Sequence, residues 1–373
     1  MKILYVFNNL NCNLGFDQIN NLKSQGQTIY VLSIWGSGSQ YQKFKSINIP
    51  CYFVNNFNTD VNKYRSLLSK IFVLKKTISK INQFILSINP DIVVSNLYLS
   101  DILVYLSLLI TRKRDIKLIS IQHDVVRINP ILRFLKIKAL DRANYVVAIS
   151  EAVKQFLIDY FKVSKNKIKV IYNGIEIDQY LSCEKTATDT DLVFGTIARL
   201  DKIKGHIYTL KGLYYLKKYY SLAPKFIFVG DGTERVSLEK YARIHNLDNV
   251  KFVGYQLNVN SYLSQIDVFV LPSLSEGLGV SIIEAMAAAK CIIASNIDGI
   301  KELIVNYKTG FLVEPCNSKA ISDKIKWCLE NPDKVKLIGK AAQKYILDNR
   351  DVFDMKSSIL KYASLFEQLK INK

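Results

Sequence analysis

The stretch SLSEGLGVSIIEAMAAAK, residues 273–290, decides the fold prediction for this chain. It follows a short apolar run, DVFVLP at residues 267–272, which predicts a buried strand, and its second half is a run of small and apolar residues that predicts a helix. Glu276 is therefore expected in a loop at the carboxyl end of a strand, where open α/β sheets bind ligands. Glu284, eight residues later, is expected in the first part of the helix.

The turn between this strand and helix suits a ligand that carries phosphate. Gly277 and Gly279 let the backbone approach a ligand closely. The first amides of the following helix, at residues 280–282, attract anions. With two glutamates nearby, the arrangement suits a nucleotide-sugar site.

The whole chain alternates short β-branched runs with helical stretches, which predicts α/β units with parallel sheets. Its 373 residues, 49% of them hydrophobic, exceed what one core usually holds, so we expect two doubly wound domains. A polar stretch at residues 183–191 predicts the linker, and the domains are then 1–182 and 183–350. The predicted strands lie near residues 2–7, 28–33, 91–95, 117–121, 145–149, 192–197, 225–229, 250–253, 267–271 and 291–294, and residues 168–174 are also strand-like.

Composition and charge narrow the class of protein. The six cysteines form no CxxC pair, which argues against a zinc site or a disulfide framework and favours a reducing cytoplasm. No apolar run is long enough for a signal sequence or a bilayer span, so we expect a soluble or peripheral protein. Residues 1–180 carry 24 lysines and arginines against 11 aspartates and glutamates, a net +13 of the chain's +19. This excess indicates either an anionic partner or a lysine-rich composition alone.

Three further loops follow predicted strands. The sequence GTIARLDKIKGH, residues 195–206, places Arg199 and Lys204 where a diphosphate could take the planar fork of one and the point charge of the other. The glycine turns VGDGTE, residues 229–234, and KFVGYQ, residues 251–256, supply the other two loops. A basic loop alone is more often just solvated. Four such loops at one edge of a sheet favour a binding site.

Taken in order, the motifs RL…KGH, VGDG, FVGY and SEGLGVSIIEAMAAAK resemble glycosyltransferase family 4, a group of retaining enzymes with the GT-B fold. The resemblance covers most of residues 145–305. It implies an α/β fold of two doubly wound, Rossmann-like domains that face a central cleft. It also implies that the last helix, within residues 351–373, crosses back to the N-terminal, acceptor-binding domain.

The same resemblance implies roles for residues of the donor site. Glu276 is expected to contact hydroxyls of the donor sugar and Glu284 the nucleotide ribose, while Arg199 and Lys204 bind the diphosphate. The resemblance thus favours Glu276, Arg199 and Lys204 as catalytic residues. The other expected donor-binding residues are Gly230 and Gly277 in the glycine turns, Leu278 and Gly279 through their amides, and Gly254 and Tyr255 beside the base. Without the resemblance, the two glutamates could instead be helix-terminal charges or the paired carboxylates of a glycosidase.

Two residues of the N-terminal half are candidates for the same reaction. His123 directly follows a predicted strand. The resemblance implies a catalytic histidine here that faces the donor sugar across the cleft, and the alternative is a strand-end histidine that satisfies local hydrogen bonds. Gly15 would let a helix amino terminus approach the sugar or phosphate, or it is an ordinary turn glycine. The loop NNLNCNLGF lacks the glycine pair of many family members, so the sequence does not indicate how the acceptor binds.

The expected chemistry needs no metal or other cofactor. Breaking a bond between a sugar and a diphosphate builds negative charge on the leaving group, which fixed cations and helix amides stabilise. The sequence shows no DxD-like pair at a predicted strand end. We therefore expect a retaining, metal-independent transferase that uses a nucleotide diphosphate sugar, with a UDP-sugar favoured, in the synthesis of capsule, O-antigen or lipopolysaccharide.

A basic amphipathic segment lies between Asp60 and Asp91, where lysines and an arginine alternate with apolar residues and no acidic residue occurs. Such a segment fits an anionic membrane surface, or a helix that covers the sheet and exposes solvated lysines. Cations that could extend the surface are Arg112, Lys113, Arg114, Lys117, Arg127, Arg133, Lys136 and Lys138. The membrane interpretation implies a saccharide or polyprenyl-diphosphate-linked acceptor at the cytoplasmic face of the cell membrane.

Two other functions stay open from the sequence. A GT-B nucleotide-sugar epimerase would need acid and base carboxylates on both domains, and a non-catalytic protein could use the basic surface only to bind membrane. Nucleic acid is not an expected partner, because aromatic residues are not interleaved at a spacing that suits base stacking.

Overall fold

A computed structural model describes residues 1–10, 15–36, 38, 40–55, 67–113, 115–182 and 191–371, except the side chains of residues 67–71 and 371. The chain divides into two compact units. Unit 1 comprises Met1–Tyr172 and Ser358–Lys373, and unit 2 comprises Asn173–Ser357. Of the predicted linker, residues 183–190 lie outside the described residues.

Unit 1 is built on a seven-stranded parallel sheet with the order β3-β2-β1-β4-β5-β6-β7. Its strands are β1 (Lys2–Phe7), β2 (Thr28–Trp35), β3 (Cys51–Asn55), β4 (Ile92–Asn96), β5 (Lys117–Gln122), β6 (Tyr145–Ala148) and β7 (Ile168–Val170). Its helices are α1 (Phe16–Ser24), α2 (Tyr41–Ser46), α3 (Leu67–Ile88), α4 (Tyr98–Thr111), α5 (Pro130–Arg142) and α6 (Glu151–Asp159). The central strands are buried along nearly their whole length, as expected for a parallel sheet covered by helices on both faces.

Unit 2 is built on a six-stranded parallel sheet with the order β10-β9-β8-β11-β12-β13. Its strands are β8 (Phe194–Ile197), β9 (Phe226–Val229), β10 (Val250–Gly254), β11 (Val268–Leu271), β12 (Cys291–Ser295) and β13 (Phe311–Val313). Its helices are α7 (His206–Tyr220), α8 (Arg235–Ile244), α9 (Asn260–Leu263), α10 (Val280–Ala287), α11 (Asp298–Lys301), α12 (Ser318–Glu330), α13 (Pro332–Asp348) and α14 (Arg350–Phe353). A last helix, α15 (Met355–Ile371), follows.

The predicted fold class of two doubly wound, Rossmann-like sheets is confirmed. In each sheet the strand order reverses once, between β1 and β4 in unit 1 and between β8 and β11 in unit 2. Such switch points are where open α/β sheets bind ligands, at the carboxyl ends of the strands. The prediction missed β3 and β13. Both are edge strands. Only one of the five residues of β3 is buried, and β13 has only three residues, so each leaves a weak signal in the sequence.

Helix α15 returns to unit 1, which confirms the predicted crossing of the last helix. The Ser358 hydroxyl donates to the carbonyl oxygen of Tyr172 at 2.9 Å, and Tyr362 and Phe366 are buried in unit 1. Leu360, which belongs to the same apolar stripe in the sequence, is 67% exposed. Among the described helices of the chain, none combines the length and the apolar character that crossing a membrane requires.

A buried ion pair joins α4 to α5 in unit 1. The Lys136 ammonium contacts the Asp101 carboxylate, and both side chains are almost fully buried. Asp101 also accepts from the Ser120 hydroxyl at 2.7 Å and from the Gln122 amide at 2.8 Å. Burial lowers the pKa of Lys136, and the charge of Asp101 opposes that shift. Lys136 is therefore not part of the exposed basic surface, and that sequence interpretation was wrong.

Breaking this pair is expected to destabilise unit 1 specifically. Lys136→Met leaves the Asp101 carboxylate buried without its cation, so we expect the free energy of unfolding to fall by about 3 kcal/mol or more. Urea unfolding followed by Trp35 fluorescence in a Trp327→Phe background reports unit 1 alone, since the chain has only these two tryptophans. Lys138→Met, an exposed lysine on the same helix, is the control. Equal unfolding midpoints for the two variants would show that the pair contributes nothing.

Candidate active site

The carboxyl ends of four adjacent strands in unit 2 bring the predicted donor-binding loops together. In the spatial order β10, β9, β8 and β11, the loops carry Tyr255, Gly230, Arg199 and Glu276. The last two flank the switch point of the sheet. The donor-site residues predicted between 199 and 284 thus lie in these loops or in the helix α10 that follows them, except Gly254, which ends β10.

The two loops at the switch point are joined by an ion pair. The Lys204 ammonium lies 2.5 Å from Oε1 of Glu276, and the side chains are 18% and 9% exposed. The Ser273 hydroxyl donates to the same carboxylate oxygen at 2.8 Å. Two donors on Oε1 fix the orientation of the carboxylate. The arrangement presents one cation and one anion side by side at a sheet edge, where an anionic group and a hydroxyl could be bound together.

Backbone contacts between the same loops keep this pair in place. The amide of Leu274 donates to the carbonyl oxygen of Ile203 at 2.8 Å. Gly205 ends the short 3-10 turn Lys202–Lys204 with φ +65°, and a Cβ atom there would overlap the carbonyl oxygen of Pro272. Only glycine satisfies both the backbone angle and the close approach. The glycine of the KGH motif therefore sets the position of the lysine before it.

Arg199 is the most exposed of the predicted diphosphate ligands, with 73% of its side chain accessible, and it pairs with Asp201 at 2.8 Å. Its backbone is held more firmly than its side chain. The ring nitrogen Nε2 of buried His206 lies 3.0 Å from the carbonyl oxygen of Arg199, and the imidazole packs edge-on against Phe228. Burial lowers the pKa of His206 to about 4, so the ring is neutral and donates to that carbonyl. His206 is thus a structural support for the Arg199 loop.

The two glycine turns pack against their neighbours. A Cβ atom on Gly230, which has φ +138°, would overlap the carbonyl oxygen of Ala198, so this glycine lets the VGDG turn lie against the Arg199 loop. The Gly230 amide donates to the carbonyl oxygen of Gly254 at 2.8 Å, which links the two turns. Tyr255 follows directly and is 69% exposed. An exposed aromatic ring at this edge has the shape and chemistry to stack on a base.

The loop of Glu276 leads into helix α10 through Gly277, Leu278 and Gly279. Gly277 is buried, Leu278 is buried, and Gly279 occupies the N-cap position, where it offers no side chain to the first amides of the helix. Of the first amides of the helix, those of Val280 and Ile282 donate to the carbonyl oxygens of Leu278 and Gly279 at 2.9 Å, and the positive end of the helix dipole still favours an anion here. Gly299, which the sequence analysis did not single out, lies so close to the carbonyl oxygen of Glu276 that any side chain there would overlap it.

Glu284 has a partner that the sequence analysis missed. The hydroxyl of buried Tyr180 donates to Oε1 of Glu284 at 3.1 Å. Burial raises the pKa of Glu284 to about 7, and the bond from Tyr180 opposes this shift. Tyr180 lies 104 residues before Glu284 in the chain, so no local pattern could have paired them. Ser273 was missed for another reason, since a serine three residues before a glutamate is common.

His123 and Gly15 lie in unit 1, at the corresponding edge of its sheet. His123 follows β5, and its Nε2 lies 3.3 Å from the side-chain oxygen of Asn96 at the end of β4. Burial lowers the pKa of His123 to about 4, and the charge of Asp101 opposes the shift. Gly15 is the N-cap of α1 with φ +83°. Among the described residues, no three His, Cys, Asp or Glu side chains cluster in a way that could hold a metal ion.

Two family descriptions match the chain and together span most of it. "Glycosyl transferases group 1" matches residues 182–345, and "Glycosyltransferase Family 4" matches residues 16–179. An uncharacterized glycosyltransferase of Methanocaldococcus jannaschii is 30% identical over 61% of this chain and 59% of its own length. The capsular polysaccharide biosynthesis glycosyltransferase CapM of Staphylococcus aureus is 28% identical over 55% and 57%, and the O-antigen biosynthesis glycosyltransferase WclY of Escherichia coli is 28% identical over 56% and 58%. The matched stretches cover less than two thirds of each of these relatives.

Solved structures share the fold over the full length. A glycosyltransferase from Rickettsia africae ESF-5 has a TM-score of 0.79 and 23% identity over 100% of this chain and 99% of that one. Anabaena HepE in complex with UDP-glucose has a TM-score of 0.79 and 20% identity over 99% of this chain and 100% of that one. At these identities the likeness concerns the fold.

The raised pKa of Glu284 predicts how pH acts on unit 2. The folded state holds this proton up to about pH 7, whereas an ordinary glutamate loses it near pH 4.5. The free energy of unfolding should therefore fall as pH rises between these values, by at most about 1.4 kcal/mol per pH unit. Glu284→Gln removes that dependence, so its stability should rise relative to the parent from pH 5 to pH 8. Unfolding followed by Trp327 in a Trp35→Phe background measures it, with exposed Glu314→Gln as the control. Parallel pH profiles for parent and Glu284→Gln would contradict the assignment.

Proposed function

The chain belongs to the family 4 glycosyltransferases, which have the GT-B fold, and from this membership we propose that it is a retaining, metal-independent enzyme that uses a UDP-sugar as donor. In this proposal the acceptor is a saccharide or a lipid-linked saccharide of a bacterial surface polysaccharide. The relatives from capsule and O-antigen biosynthesis support the proposed class of acceptor. The HepE structure with UDP-glucose supports the choice of nucleotide.

The ion pair between Lys204 and Glu276 is the observation that carries the proposal. A nucleotide sugar offers a diphosphate, which is complementary to the ammonium, next to sugar hydroxyls, which are complementary to the carboxylate. Both groups lie at the switch point of a doubly wound sheet, beside the N-terminus of α10, which has no side-chain cap. Arg199 is close enough in sequence to join them, and its exposed side chain can turn from Asp201 toward a ligand.

The proposed chemistry follows from this placement of charge. When the bond between the anomeric carbon and the diphosphate breaks, negative charge grows on the leaving group, and Lys204, Arg199 and the amides of α10 stabilise it more than they stabilise the ground state. The departing phosphate takes the proton of the acceptor hydroxyl, which attacks from the face that the phosphate leaves, so the anomeric configuration is retained. Glu276 and Glu284 hold hydroxyls of the sugar and the ribose. His123 is proposed to contact the donor sugar.

The partners of the two glutamates favour roles other than the acid and nucleophile of a glycosidase. Glu276 forms an ion pair with Lys204, and Glu284 accepts a hydrogen bond from Tyr180. The raised pKa of Glu284 beside an ionised Glu276 would suit an acid and a nucleophile, but a glycosidase also needs both carboxyls free to flank a single bond, whereas each is bound to a protein partner here. The pairing of Glu276 with a lysine favours transfer from a phosphate over hydrolysis.

A membrane surface is proposed on unit 1, where α3, α4 and α5 pack side by side. Ile131 and Phe134, in the first turns of α5, are 76% and 60% exposed. Lys138 lies 5.6 Å above the Phe134 ring, and Arg127 precedes the helix. Large exposed apolar side chains next to cations are typical of surfaces that enter the headgroup region of an anionic bilayer. Such a surface would bring the enzyme to a lipid-linked acceptor.

Substitution of Lys204 tests the donor site. Lys204→Met removes the cation from the leaving group, so we expect kcat for UDP release from a UDP-sugar to fall by about 100-fold or more. Glu276→Gln should raise KM and lower kcat together, because it weakens hydroxyl contacts that strengthen in the transition state. Lys202→Met, an exposed lysine in the same turn, is the matched control and should behave like the parent. The assay is run over a panel of UDP- and GDP-sugars with and without EDTA.

Three outcomes of that assay contradict parts of the proposal. If Lys204→Met keeps the turnover and UDP affinity of Lys202→Met, the diphosphate does not bind here. If EDTA abolishes turnover, the enzyme depends on a metal. If proton NMR of the first product shows the opposite anomeric configuration from the donor, the reaction inverts.

Vesicle flotation tests the membrane surface. The parent protein should float with vesicles rich in phosphatidylglycerol and much less with neutral vesicles, because both cations and apolar side chains contribute. The double variant Ile131→Ser and Phe134→Ser should lose most of this binding. Leu337→Ser is the control, since Leu337 is 66% exposed but lies on α13 of unit 2. Equal flotation with both kinds of vesicle, or no flotation, would rule the surface out.

A further inference from the structure

The carboxyl edge of the unit 1 sheet gathers polar side-chain atoms that have no hydrogen-bond partner among the described residues. They are Oδ1 of Asn8, Nε2 of Gln18, Nδ2 of Asn96 and Nδ1 of His123. Gln18 is 7% exposed and Asn96 is 2% exposed. A buried polar atom without a partner costs about 1–3 kcal/mol. Four such atoms along one edge of a sheet indicate that a ligand supplies their hydrogen-bond partners.

These four residues come from elements that meet at the switch point. Asn8 directly follows β1, Asn96 ends β4, and His123 directly follows β5. Strands β1 and β4 pair in register up to Val6 and Ser95, so Asn8 and Asn96 lie near the same end of neighbouring strands. Gln18 is in the first turn of α1, and its amide oxygen lies 3.8 Å from the Cβ position of Gly15.

The unpartnered atoms comprise two donors and two acceptors. The amide nitrogens of Gln18 and Asn96 donate, and the Asn8 oxygen accepts. His123 supplies the second acceptor, because its Nε2 faces the oxygen of Asn96 and therefore carries the ring proton, which leaves the lone pair on Nδ1. A sugar hydroxyl both donates and accepts, so it satisfies either kind of atom. A phosphate or carboxylate oxygen only accepts and would leave two lone pairs opposed.

Two opposite charges beneath this edge neutralise each other. Asp101 and Lys136 form their buried pair beneath it, and Gln122, the residue before His123, bonds to both of them, to Asp101 at 2.8 Å and to Lys136 at 2.8 Å. The Asp101 carboxylate and the Lys136 ammonium are therefore bonded to each other below the edge, whereas the side-chain amides and the His123 imidazole lie at the edge. The four side chains that carry the unpartnered atoms are uncharged, and the charge that lies next to them in the sequence is negative, on exposed Asp124 directly after His123.

We propose that Asn8, Gln18, Asn96 and His123 form a subsite for the hydroxyls of an uncharged pyranose, and that this subsite discriminates against uronic acids and phosphorylated sugars. The inference rests on the proposed transferase function, since it names the class of sugar that unit 1 accepts. The pyranose can belong to the donor or to the acceptor. Either source presents the same hydroxyl chemistry to this edge.

Saturation-transfer NMR on the full chain with UDP present tests the subsite. The probes are neutral methyl glycosides with the gluco, galacto, manno and N-acetylglucosamine configurations, and methyl glucuronide. At least one neutral glycoside should bind, and methyl glucuronide should bind several-fold more weakly. Asn96→Ala and, independently, the less buried Asn8→Ala should weaken the neutral glycoside up to about tenfold. Asn82→Ala is the matched control, because Asn82 also has an unpartnered oxygen but lies on α3.

The proposal is overturned if no neutral glycoside binds the parent protein, if methyl glucuronide binds as well as the best neutral glycoside, or if both test variants match Asn82→Ala. UDP affinity, measured by calorimetry in the same samples, reports on unit 2 separately. If the parent protein does not bind UDP, this result contradicts the proposed function but not the subsite. A raised KM for the UDP-sugar in Asn8→Ala assigns the pyranose to the donor, and an unchanged KM with lost glycoside binding assigns it to the acceptor.

Discussion

The contact between Lys204 and Glu276 joins the two loops on which the proposed donor site depends. One loop follows β8 and the other follows β11, the two strands at the switch point. Three contacts hold the loops together: the ion pair, the hydrogen bond from Leu274 to Ile203 and the close approach of Gly205 to Pro272. In the absence of a ligand the two charges neutralise each other. A nucleotide sugar offers a separate partner to each, so donor binding would replace one ion pair by two contacts. The site is then preorganised without an unpaired charge.

The two units differ in the chemistry of their sheet edges. The edge of unit 2 presents Arg199, Lys204 and Glu276, whereas the edge of unit 1 presents amides and a neutral imidazole. The difference follows from where each unit puts its charges. Unit 1 buries its Asp101 and Lys136 pair below the edge, and unit 2 keeps its pair at the edge, where a ligand can exchange with it. In the proposed function, a charged diphosphate would bind the first kind of surface and uncharged sugar hydroxyls the second.

Much of the fold could be predicted from the sequence because burial in a parallel sheet leaves a local signal. Central strands such as β4 and β11 are buried along their whole length, and their apolar runs mark them clearly. The site loops could be located as well, since they follow those strands directly. That Lys204 and Glu276 bond to each other could not be predicted, because 72 residues separate them and contact depends on the strand order.

The predictions from sequence that were wrong or incomplete also concern contacts between distant residues or weak local patterns. Lys136 was expected on the surface, because a lysine in a helix is normally solvated, and its burial depends on Asp101, 35 residues away. Tyr180 carries no local sign that it supports Glu284. The edge strand β3 was missed because an edge strand buries few of its side chains. Local pattern thus predicts elements and loops, whereas pairings between distant side chains require the structure.

In the proposed function, Lys204 and Glu276 separate to receive a nucleotide sugar. A crystal structure of the chain with a non-hydrolysable UDP-sugar analogue measures this most directly. We expect the Lys204 ammonium within hydrogen-bond distance of a diphosphate oxygen, Glu276 bonded to a sugar hydroxyl and Glu284 bonded to the ribose. An analogue bound elsewhere, or an intact bond between Lys204 and Glu276 with the analogue present, would contradict the proposed donor site.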